Sequence, residues 1–494
     1  MTYPIKNLHR ILLVAFMMLG VSLLNAQTQI GLDIDGDKQG DRFGSAVSMP
    51  NATTIAIGAP FNPAKGFSNG SVRVYSWVAN AWIHKGMDIY GEAVGDEFGR
   101  SLSMPDPNTL AVGARYNDGN GIDAGHVRIY SWRGNAWVQK GDDIDGDSVY
   151  DRSGNAVCMP DSNTVAIAAA ENDINGTWSG QVRIYYWNGI SWTKKGKDIY
   201  GETAWDLSGC SIDMPDANTI AIGAELNDGV FFGNNDVGHV RVYVWNGVTW
   251  LLKGDDIDGE AQGDYSGFSV SMPDSNTVAI GAPRNDGNGM DAGQVRVYVW
   301  KGNKWIQKGL DIDGESTGDR SGESISMVDS NTIAIGAARN RGNSNLNGHV
   351  RVYHWDGTSW KQRGADIDGE SSDDRSGSSV SMPDANTVAI GAPFKSESKG
   401  QVRVFDLNTL SVQEKYSIQQ IVLFPNPTHD ILCVKVKSHF IGSEYDVVDS
   451  NGKLVLTGTF MTEFTNISLG ALAQGNYWFC LGDKFCQMFS VLGK

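Results

Sequence analysis

Residues 255–309 read DDIDGEAQGDYSGFSVSMPDSNTVAIGAPRNDGNGMDAGQVRVYVWKGNKWIQKG, and most of the 494-residue chain consists of variants of this unit. One aspartate of its GDxxG element recurs seven times, with spacings of 55, 55, 55, 58, 55 and 55 residues. These ruler aspartates are Asp41, Asp96, Asp151, Asp206, Asp264, Asp319 and Asp374. A fixed period of this length is typical of a repeat architecture in which each repeat forms one structural unit.

Each unit contains four short runs rich in Val, Ile, Tyr and Trp, separated by Gly, Asn, Asp and Pro. In the quoted unit the runs are SVSM, TVAIGA, QVRVYVW and KWIQKG, and they predict four antiparallel strands. Four strands in each of seven units, without helical periodicity, predict an all-β fold, a seven-bladed β-propeller. The predicted propeller covers residues 27–416, with repeats near 31–86, 87–141, 142–196, 197–254, 255–309, 310–364 and 365–416.

Pairs of tryptophans flank the turn between the third and fourth strands, and we interpret them as packing anchors rather than as carbohydrate-stacking platforms.

The ring of blades must also close on itself. Two segments are candidates for the outer strand of the seventh blade, residues 411–416 and residues 29–34, and we favour the N-terminal segment.

The N-terminus has the pattern of a secretory signal peptide over residues 1–26. A basic region ends at Arg10, an apolar run covers residues 11–24, and the small residue Ala26 precedes Gln27 at the predicted cleavage site. No later apolar run is long enough to predict a membrane span.

The charge balance limits the partners that the protein can have. Its 57 acidic and 40 basic side chains give a net charge of -17, which argues against nucleic acid as a partner. A cation remains compatible with this composition, and we expect a monomer.

The sequence around the ruler aspartates resembles the FG-GAP repeats of the integrin α-subunit propeller. Residues 40–44 read GDRFG, residues 95–99 read GDEFG, and the second strand ends in IGAP at residues 280–283. The resemblance covers roughly residues 31–416 and implies the same seven-bladed fold. That family often binds calcium between its first and second strands, but residues 273–277 form a connection too short for such a loop.

Residues 417–494 lack the period, and their apolar alternation predicts a small Ig-like β-sandwich. The motifs FPNP at 424–427 and LAQGNY at 472–477 resemble the type A C-terminal sorting domain of the type IX secretion system. The resemblance implies export by that machinery, which is then a partner of this domain, and an ordinary Ig-like module is the alternative. Cys480 and Cys486 flank a predicted hairpin and are candidates for a disulfide.

Two sets of acidic loops fall on the same predicted face of the ring: the crossovers between blades and the loops between the second and third strands. In the quoted unit the crossover carries Asp256, Asp258, Glu260 and Asp264. Carboxylates about 5 Å apart repel by roughly 3 kcal/mol at an effective dielectric of about 20, so a positive charge is expected beside them. We predict that each ruler aspartate forms an internal salt bridge with the arginine of the third strand. Those arginines are Arg73, Arg128, Arg183, Arg241, Arg296, Arg351 and Arg403.

Calcium is the candidate cofactor, and a plain Asx-type turn is the competing interpretation. The loop between the second and third strands offers alternating side-chain oxygens on a Gly-rich turn in blades two and five. The candidate ligands are Asp118, Asn120, Asp123, Asp286, Asn288 and Asp291. We predict no other cofactor.

No catalytic residues are predicted. His126, His239 and His349 occupy a position that is Gln in other copies, which favours an interchangeable strand-edge position over a ligand or a base. Carboxylates repeated in every blade indicate a scaffold, because catalysis would need one copy to differ. We therefore predict a secreted or cell-surface, non-enzymatic propeller that binds an unknown protein or glycan in adhesion or recognition. A secreted polysaccharide hydrolase or lyase is one alternative, and a purely structural surface component is another.

Overall fold

The computed structural model describes residues 27–228, 236–342, 346–408, 421–425, 427–436, 440–449, 453–481 and 485–492. The chain divides into two compact units, one of which is Gln27–Asn408 and the other C-terminal to it. The predicted signal peptide and cleavage site at Ala26, and the alternative closing strand at 411–416, lie outside the described residues.

The first unit is a seven-bladed β-propeller in which each blade is one antiparallel sheet. The innermost strands are Ala46–Asn51, Ser101–Asp106, Ala156–Asp161, Ser211–Asp216, Ser269–Asp274, Ser324–Asp329 and Ser379–Asp384. The second strands are Thr54–Ala59, Thr109–Ala114, Thr164–Ala169, Thr219–Ala224, Thr277–Ala282, Thr332–Ala337 and Thr387–Ala392. The third strands are Ser71–Val78, His126–Arg133, Gln181–Trp187, His239–Trp245, Gln294–Lys301, His349–Trp355 and Gln401–Asp406. Among the described residues a short helical turn, Lys395–Ser398, interrupts this β structure.

The fourth, outer strand of each blade consists of two short pieces, both paired with the third strand. The first pieces are Ala81–His84, Ala136–Gln139, Trp192–Lys194, Trp250–Leu252, Lys304–Gln307 and Trp360–Gln362. The second pieces are Ile89–Tyr90, Ile144–Asp145, Ile199–Tyr200, Ile257–Asp258, Ile312–Asp313 and Ile367–Asp368. A glycine with positive φ separates them, and at Gly254 a Cβ would lie 2.6 Å from the Trp300 ring of the next blade. The break therefore lets neighbouring blades approach closely.

The N-terminal segment closes the ring, as the favoured alternative predicts. Thr28–Gln29 and Ile34–Asp35 pair antiparallel with the third strand of blade seven, in the position that the outer strand takes in the other blades. The Ile30 amide donates to the Val404 carbonyl at 2.7 Å. The two ends of the propeller sequence are thus held in one sheet.

The second strands are buried at every position because both of their faces are covered by neighbouring blades. Their TVAIGA-type sequences combine β-branched residues with alanine and glycine, which suits a strand packed on both sides. The hydrophobic clusters follow from this arrangement. One of them joins Ala221 and Val240 of blade four to Val278 and Ile280 of blade five.

The innermost strands are connected around the ring by a repeated hydrogen bond. In most blades a serine hydroxyl accepts the backbone N–H of a methionine in the next blade, as in the 3.0 Å bond from Met327 to Ser271. Blade four has Asp213 at the serine position, and its carboxylate accepts from the Met272 amide at 2.7 Å. Cys158 takes the position in blade three, and its thiol donates to Asp213 at 3.3 Å.

The tryptophan pairs pack between blades. Trp305 donates its indole N–H to the Lys253 carbonyl of the preceding blade at 2.8 Å. The Lys253 ammonium lies 5.1 Å from the Trp300 ring centre and 5.2 Å from that of Trp305, and it donates to Asn276 Oδ1 at 2.9 Å. The same indole bond recurs in blades one to six, with the Ile30 carbonyl as acceptor in blade one and a lysine carbonyl in the others. We call the lysine and the two tryptophans the Trp–Lys clamp.

The C-terminal unit contains two small antiparallel sheets. Three strands form one sheet: Ile421–Phe424, Ile431–Val436 and Phe464–Ser468. Four strands form the other: Leu454–Thr459, Glu444–Asp449, Gly475–Leu481 and Phe485–Val491. Leu432, Val447, Phe460 and Phe479 belong to its buried core. Cys480 is disulfide-bonded, and the strand register places the Cys486 backbone opposite it.

Within the described residues, no helix has the length and apolar character needed to cross a membrane.

Candidate functional site

The loops between the second and third strands and the crossovers between blades lie together on one face of the propeller. They are hydrogen-bonded to each other: the Trp205 amide donates to the Thr177 carbonyl at 2.7 Å, and the Gly318 amide donates to the Met290 carbonyl at 2.9 Å. This loop face is therefore continuous from blade to blade. It also carries an exposed aromatic pair, Trp178 and Trp205, whose ring centres are 4.9 Å apart.

The ruler aspartates are buried and close the crossover turns. Asp264 Oδ2 accepts from the Ala261 amide at 2.9 Å and from the Asn285 side chain at 3.0 Å. Burial raises the pKa of Asp264, and the hydrogen bonds from Asn285 and the backbone oppose that shift. The carboxylate is therefore hydrogen-bonded both by its own crossover and by the loop between the second and third strands.

The predicted salt bridge between ruler aspartate and arginine is wrong. The arginine of each third strand pairs instead with the carboxylate four residues before the ruler aspartate, because the latter is turned into its own loop. In blade five Arg296 lies 3.5 Å from Glu260 and donates to the Asp258 carbonyl at 2.8 Å. The pairs are Arg73–Asp37, Arg128–Glu92, Arg183–Asp147, Arg241–Glu202, Arg296–Glu260, Arg351–Glu315 and Arg403–Glu370.

The six candidate calcium ligands do not all face a common point. In blade five Asp286 Oδ1 accepts the Asp291 amide at 2.8 Å, which is the hydrogen bond of an Asx-type turn. Asn288 donates to the Gly314 carbonyl at 2.8 Å, and Asp291 forms an ion pair with Arg320 at 3.2 Å.

Blade two repeats the turn. Asp118 accepts from the Asp123 amide at 2.9 Å, and Asn120 donates to the Gly146 carbonyl at 2.8 Å. Calcium at these loops stays a prediction. Saturation at a hundredfold excess over Kd would add about 2.7 kcal/mol to the unfolding free energy, which a chelator titration followed by Tm would measure.

The three strand-edge histidines each meet two carboxylates. His126 groups with Glu92 and Asp143, His239 with Glu202 and Asp256, and His349 with Glu315 and Asp366. Burial and then the neighbouring arginine lower the histidine pKa to about 4 for His126 and His349 and to about 3 for His239. Sequence comparison of the copies did not reveal these groups, because their members come from two different crossovers and one strand.

A second cluster, which sequence reasoning missed, surrounds the axis of the propeller at the loop face. Its positions lie within four residues before an innermost strand or within two residues after a second strand. We call it the mouth ring. Its arginines are Arg42, Arg100, Arg115, Arg152, Arg284, Arg320, Arg339 and Arg375. Its glutamates are Glu97, Glu171, Glu225 and Glu323. Eight arginines against four glutamates give a local surplus of four positive charges on a chain of net charge -17.

Aromatic rings hold several of these guanidinium groups. Arg42 lies 4.2 Å from the ring centre of Phe61 in its own blade and 4.9 Å from that of Phe394 in blade seven. Arg375 lies 4.1 Å from the Phe394 ring, and Arg284 lies 4.1 Å from the Tyr265 ring. Stacking of this kind fixes a planar cation while leaving its edge free to bind an anion.

Half of the mouth-ring arginines are neutralised locally. Arg115 pairs with Glu97 at 3.0 Å, Arg339 pairs with Glu323 at 3.1 Å, Arg152 pairs with Glu171, and Arg320 pairs with Asp291. Within the described part of the chain, no carboxylate comes within ion-pair distance of the other four arginines. These four are Arg42, Arg100, Arg284 and Arg375.

Family models match both parts of the chain. The model described as FG-GAP repeat matches residues 91–130 in blade two and 257–299 in blade five of the propeller. The model described as secretion system C-terminal sorting domain matches residues 422–486. The protein is therefore a propeller exported through the type IX secretion system, either to the cell surface or into the medium.

Solved structures match the chain at low sequence identity, each with a TM-score below 0.5. PorZ, a surface component of the type IX secretion system of Porphyromonas gingivalis, is 12% identical with a TM-score of 0.44, over 94% of this chain and 61% of PorZ. A putative 6-phosphogluconolactonase from Bacteroides uniformis is 8% identical with a TM-score of 0.46, over 84% and 99% of the two chains. The GH74 xyloglucanase from Xanthomonas campestris is 11% identical with a TM-score of 0.45, over 82% and 59%. The chain thus spans less than two thirds of PorZ, and no curated protein sequence matches it.

Proposed function

We propose that the exported propeller is a non-enzymatic recognition scaffold that binds a protein or glycan partner through its loop face. The partner presents carboxylate or sulfate groups to the mouth ring. The observation that carries this proposal is the set of four mouth-ring arginines that have no carboxylate within ion-pair distance among the described residues.

A guanidinium group binds a carboxylate or sulfate through two parallel hydrogen bonds, which gives both affinity and orientation. Three of the four arginines are already held against aromatic rings. Little side-chain entropy is therefore lost when an anion binds. The surrounding net charge of -17 repels anions elsewhere, so the mouth ring is the favourable place for an acidic partner.

The exposed pair Trp178 and Trp205 adds an apolar surface to the same face, with exposures of 38% and 54%. Aromatic rings at this exposure offer a flat surface for a sugar ring or for an apolar side chain of a protein. The two features together support a partner that is acidic and partly apolar.

The test measures binding of the mature protein to polygalacturonate, chondroitin sulfate, poly-glutamate and neutral dextran by calorimetry. We expect binding to at least one acidic polymer, no binding to dextran, and weakening by salt. Arg100→Gln with Arg375→Gln should weaken binding about tenfold or more, equivalent to about 1.4 kcal/mol. The matched control is Arg133→Gln with Lys304→Gln, which removes two positive charges from the turns between third and fourth strands.

Equal binding by the two double variants would contradict a role of the mouth ring. The same incubations are analysed for new reducing ends and unsaturated sugars. Catalytic product release would contradict the non-enzymatic part of the proposal and favour the hydrolase or lyase alternative.

A further inference from the structure

We propose that blades two, four and six each bind one divalent transition-metal ion of the Zn²⁺ class between a histidine, a glutamate and an aspartate. In each group the three ligand atoms lie within 4.8 Å of one another. The proposed ions are independent of the mouth ring and of the partner that it binds.

Blade six shows the geometry most completely. His349 Nδ1 lies 4.0 Å from Glu315 Oε2 and 3.7 Å from Asp366 Oδ2. These separations exceed hydrogen-bond length. They are close to the spacing of about 3.3 Å between two ligands of a tetrahedral zinc ion at its usual bond lengths of about 2.0–2.1 Å. A shift of a few tenths of an ångström would bring the three atoms into coordination.

In each of these two carboxylates, one oxygen interacts with another side chain of the protein and the other oxygen faces the imidazole. Glu315 Oε1 pairs with Arg351 at 3.5 Å, and Asp366 Oδ1 accepts from Gln362 at 2.6 Å. This arrangement orients the ligands before an ion arrives, as hydrogen-bonded supporting residues do in metal sites. Two carboxylates and one arginine leave the group with one net negative charge, which favours a cation.

The histidines are buried and point into these groups. His126, His239 and His349 have exposures of 1%, 2% and 1%. His126 Nδ1 lies 3.6 Å from Asp143 and 4.0 Å from Asp145. Nδ1 is therefore the ring nitrogen that would bind an ion held by these carboxylates.

Blades three, five and seven supply an internal comparison, because they carry glutamine at the same position. Gln181 donates to Asp147 at 3.0 Å and to Asp198 at 2.9 Å, and these residues correspond to the two carboxylates of a histidine blade. Gln401 likewise donates to Asp33 at 2.8 Å and to Glu370 at 3.4 Å. The glutamine amide thus fills the space between the carboxylates. The imidazole ring reaches less far and leaves a gap large enough for a metal ion.

The ligand set selects the class of ion. Imidazole with two carboxylates suits zinc and related divalent ions, whereas calcium prefers oxygen ligands alone. A cavity of about 350 Å³ lined by Glu315, His349 and Asp366 opens to solvent beside the group. It has room for water to complete the coordination sphere.

The experiment uses the mature protein, stripped with a chelator and then dialysed against micromolar ZnCl₂ with millimolar calcium present. We expect three bound zinc equivalents by mass spectrometry, one for each group. His349→Gln should bind two equivalents, and the triple variant His126→Gln, His239→Gln, His349→Gln should bind none. Because glutamine already occupies this position in blades three, five and seven, the variants should fold.

The matched control is His84→Gln, because His84 lies 3.1 Å from Asp88 but belongs to none of the three groups. It should retain full zinc stoichiometry. Zinc should also raise the Tm of the parent and leave that of the triple variant unchanged. An unaltered stoichiometry in the triple variant, or no zinc bound by the parent, would overturn the proposal.

Discussion

The Trp–Lys clamp and the mouth ring are built from the same repeats, yet they differ in how strictly the repeats agree. Six blades form the clamp's indole hydrogen bond to the preceding blade. The mouth ring changes from blade to blade: the position after the ruler aspartate is Arg42, Glu97, Leu207 or Tyr265. Each pair of neighbouring blades packs in the same way, so the residues that make these contacts recur from repeat to repeat. A binding surface for one partner has no reason to follow the sevenfold pattern.

This difference separates scaffold from recognition. Substitutions in the clamp should act on stability, and substitutions of the four unpaired mouth-ring arginines should act on binding with little effect on stability. The carboxylate–arginine pairs lie between these extremes, since they repeat in every blade and their arginines are buried, but their carboxylates are partly exposed.

The largest loss of stability is expected for Trp305→Ala. The change removes an indole packed between blades four and five and its bond to Lys253. We expect the free energy of unfolding to fall by about 3 kcal/mol, measured by urea denaturation. Trp305→Phe keeps most of the packing and should cost about 1 kcal/mol for the lost hydrogen bond. A loss below that value in the alanine variant would mean that the tryptophan pair is not a packing anchor.

A smaller loss is expected for Arg296→Met, at about 1–2 kcal/mol, because it leaves the half-exposed Glu260 and the Asp258 carbonyl without their donor. A double-mutant cycle tests the partner. Arg296→Met and Glu260→Gln should couple by about 0.5 kcal/mol or more. Arg296→Met and Asp264→Asn should be closer to additive, and the reverse order would restore the ruler aspartate as the partner.

The sequence predicted the propeller because the residues that define each strand are close together in the chain and recur in every repeat. Alternation in QVRVYVW and the turn residues around it predict a strand wherever they occur, and the period supplies the number of blades. The partner of Arg296 was not predictable in this way. Glu260 and Asp264 are both acidic and four residues apart. Which one faces the arginine depends on Asn285, which binds Asp264 from another loop.

The mouth ring was missed for a different reason. Its residues fall at positions that differ from one repeat to the next. A comparison of the copies looks for shared residues and therefore passes over these positions. Closure of the ring brings these positions from all blades around one axis, and only then does their common positive charge appear. A signal was present, because Arg42, Arg152, Arg320 and Arg375 all follow a ruler aspartate.

Glu225 should make stability depend on pH. Burial raises its pKa to about 7, against the opposing effect of Arg284. The folded protein therefore holds a proton that the unfolded chain has released, and the free energy of unfolding falls as pH rises from the ordinary glutamate range towards 7. Relative to Glu225→Gln, the parent should lose about 1–2 kcal/mol between about pH 5 and about pH 8. Parallel stability curves for the two proteins would contradict this assignment.

The smallest effect on stability, and one of opposite sign, is expected for Arg100→Gln. The positive charge of Arg115 lies near the Arg100 guanidinium and makes its charge slightly unfavourable in the folded protein. Its side chain is exposed, so no packing is lost. We expect a gain of a few tenths of a kcal/mol by urea denaturation, together with weaker binding of acidic polymers. A residue kept at a cost to stability is best explained by a ligand. A clear loss of stability would instead assign Arg100 to the scaffold and remove it from the binding surface.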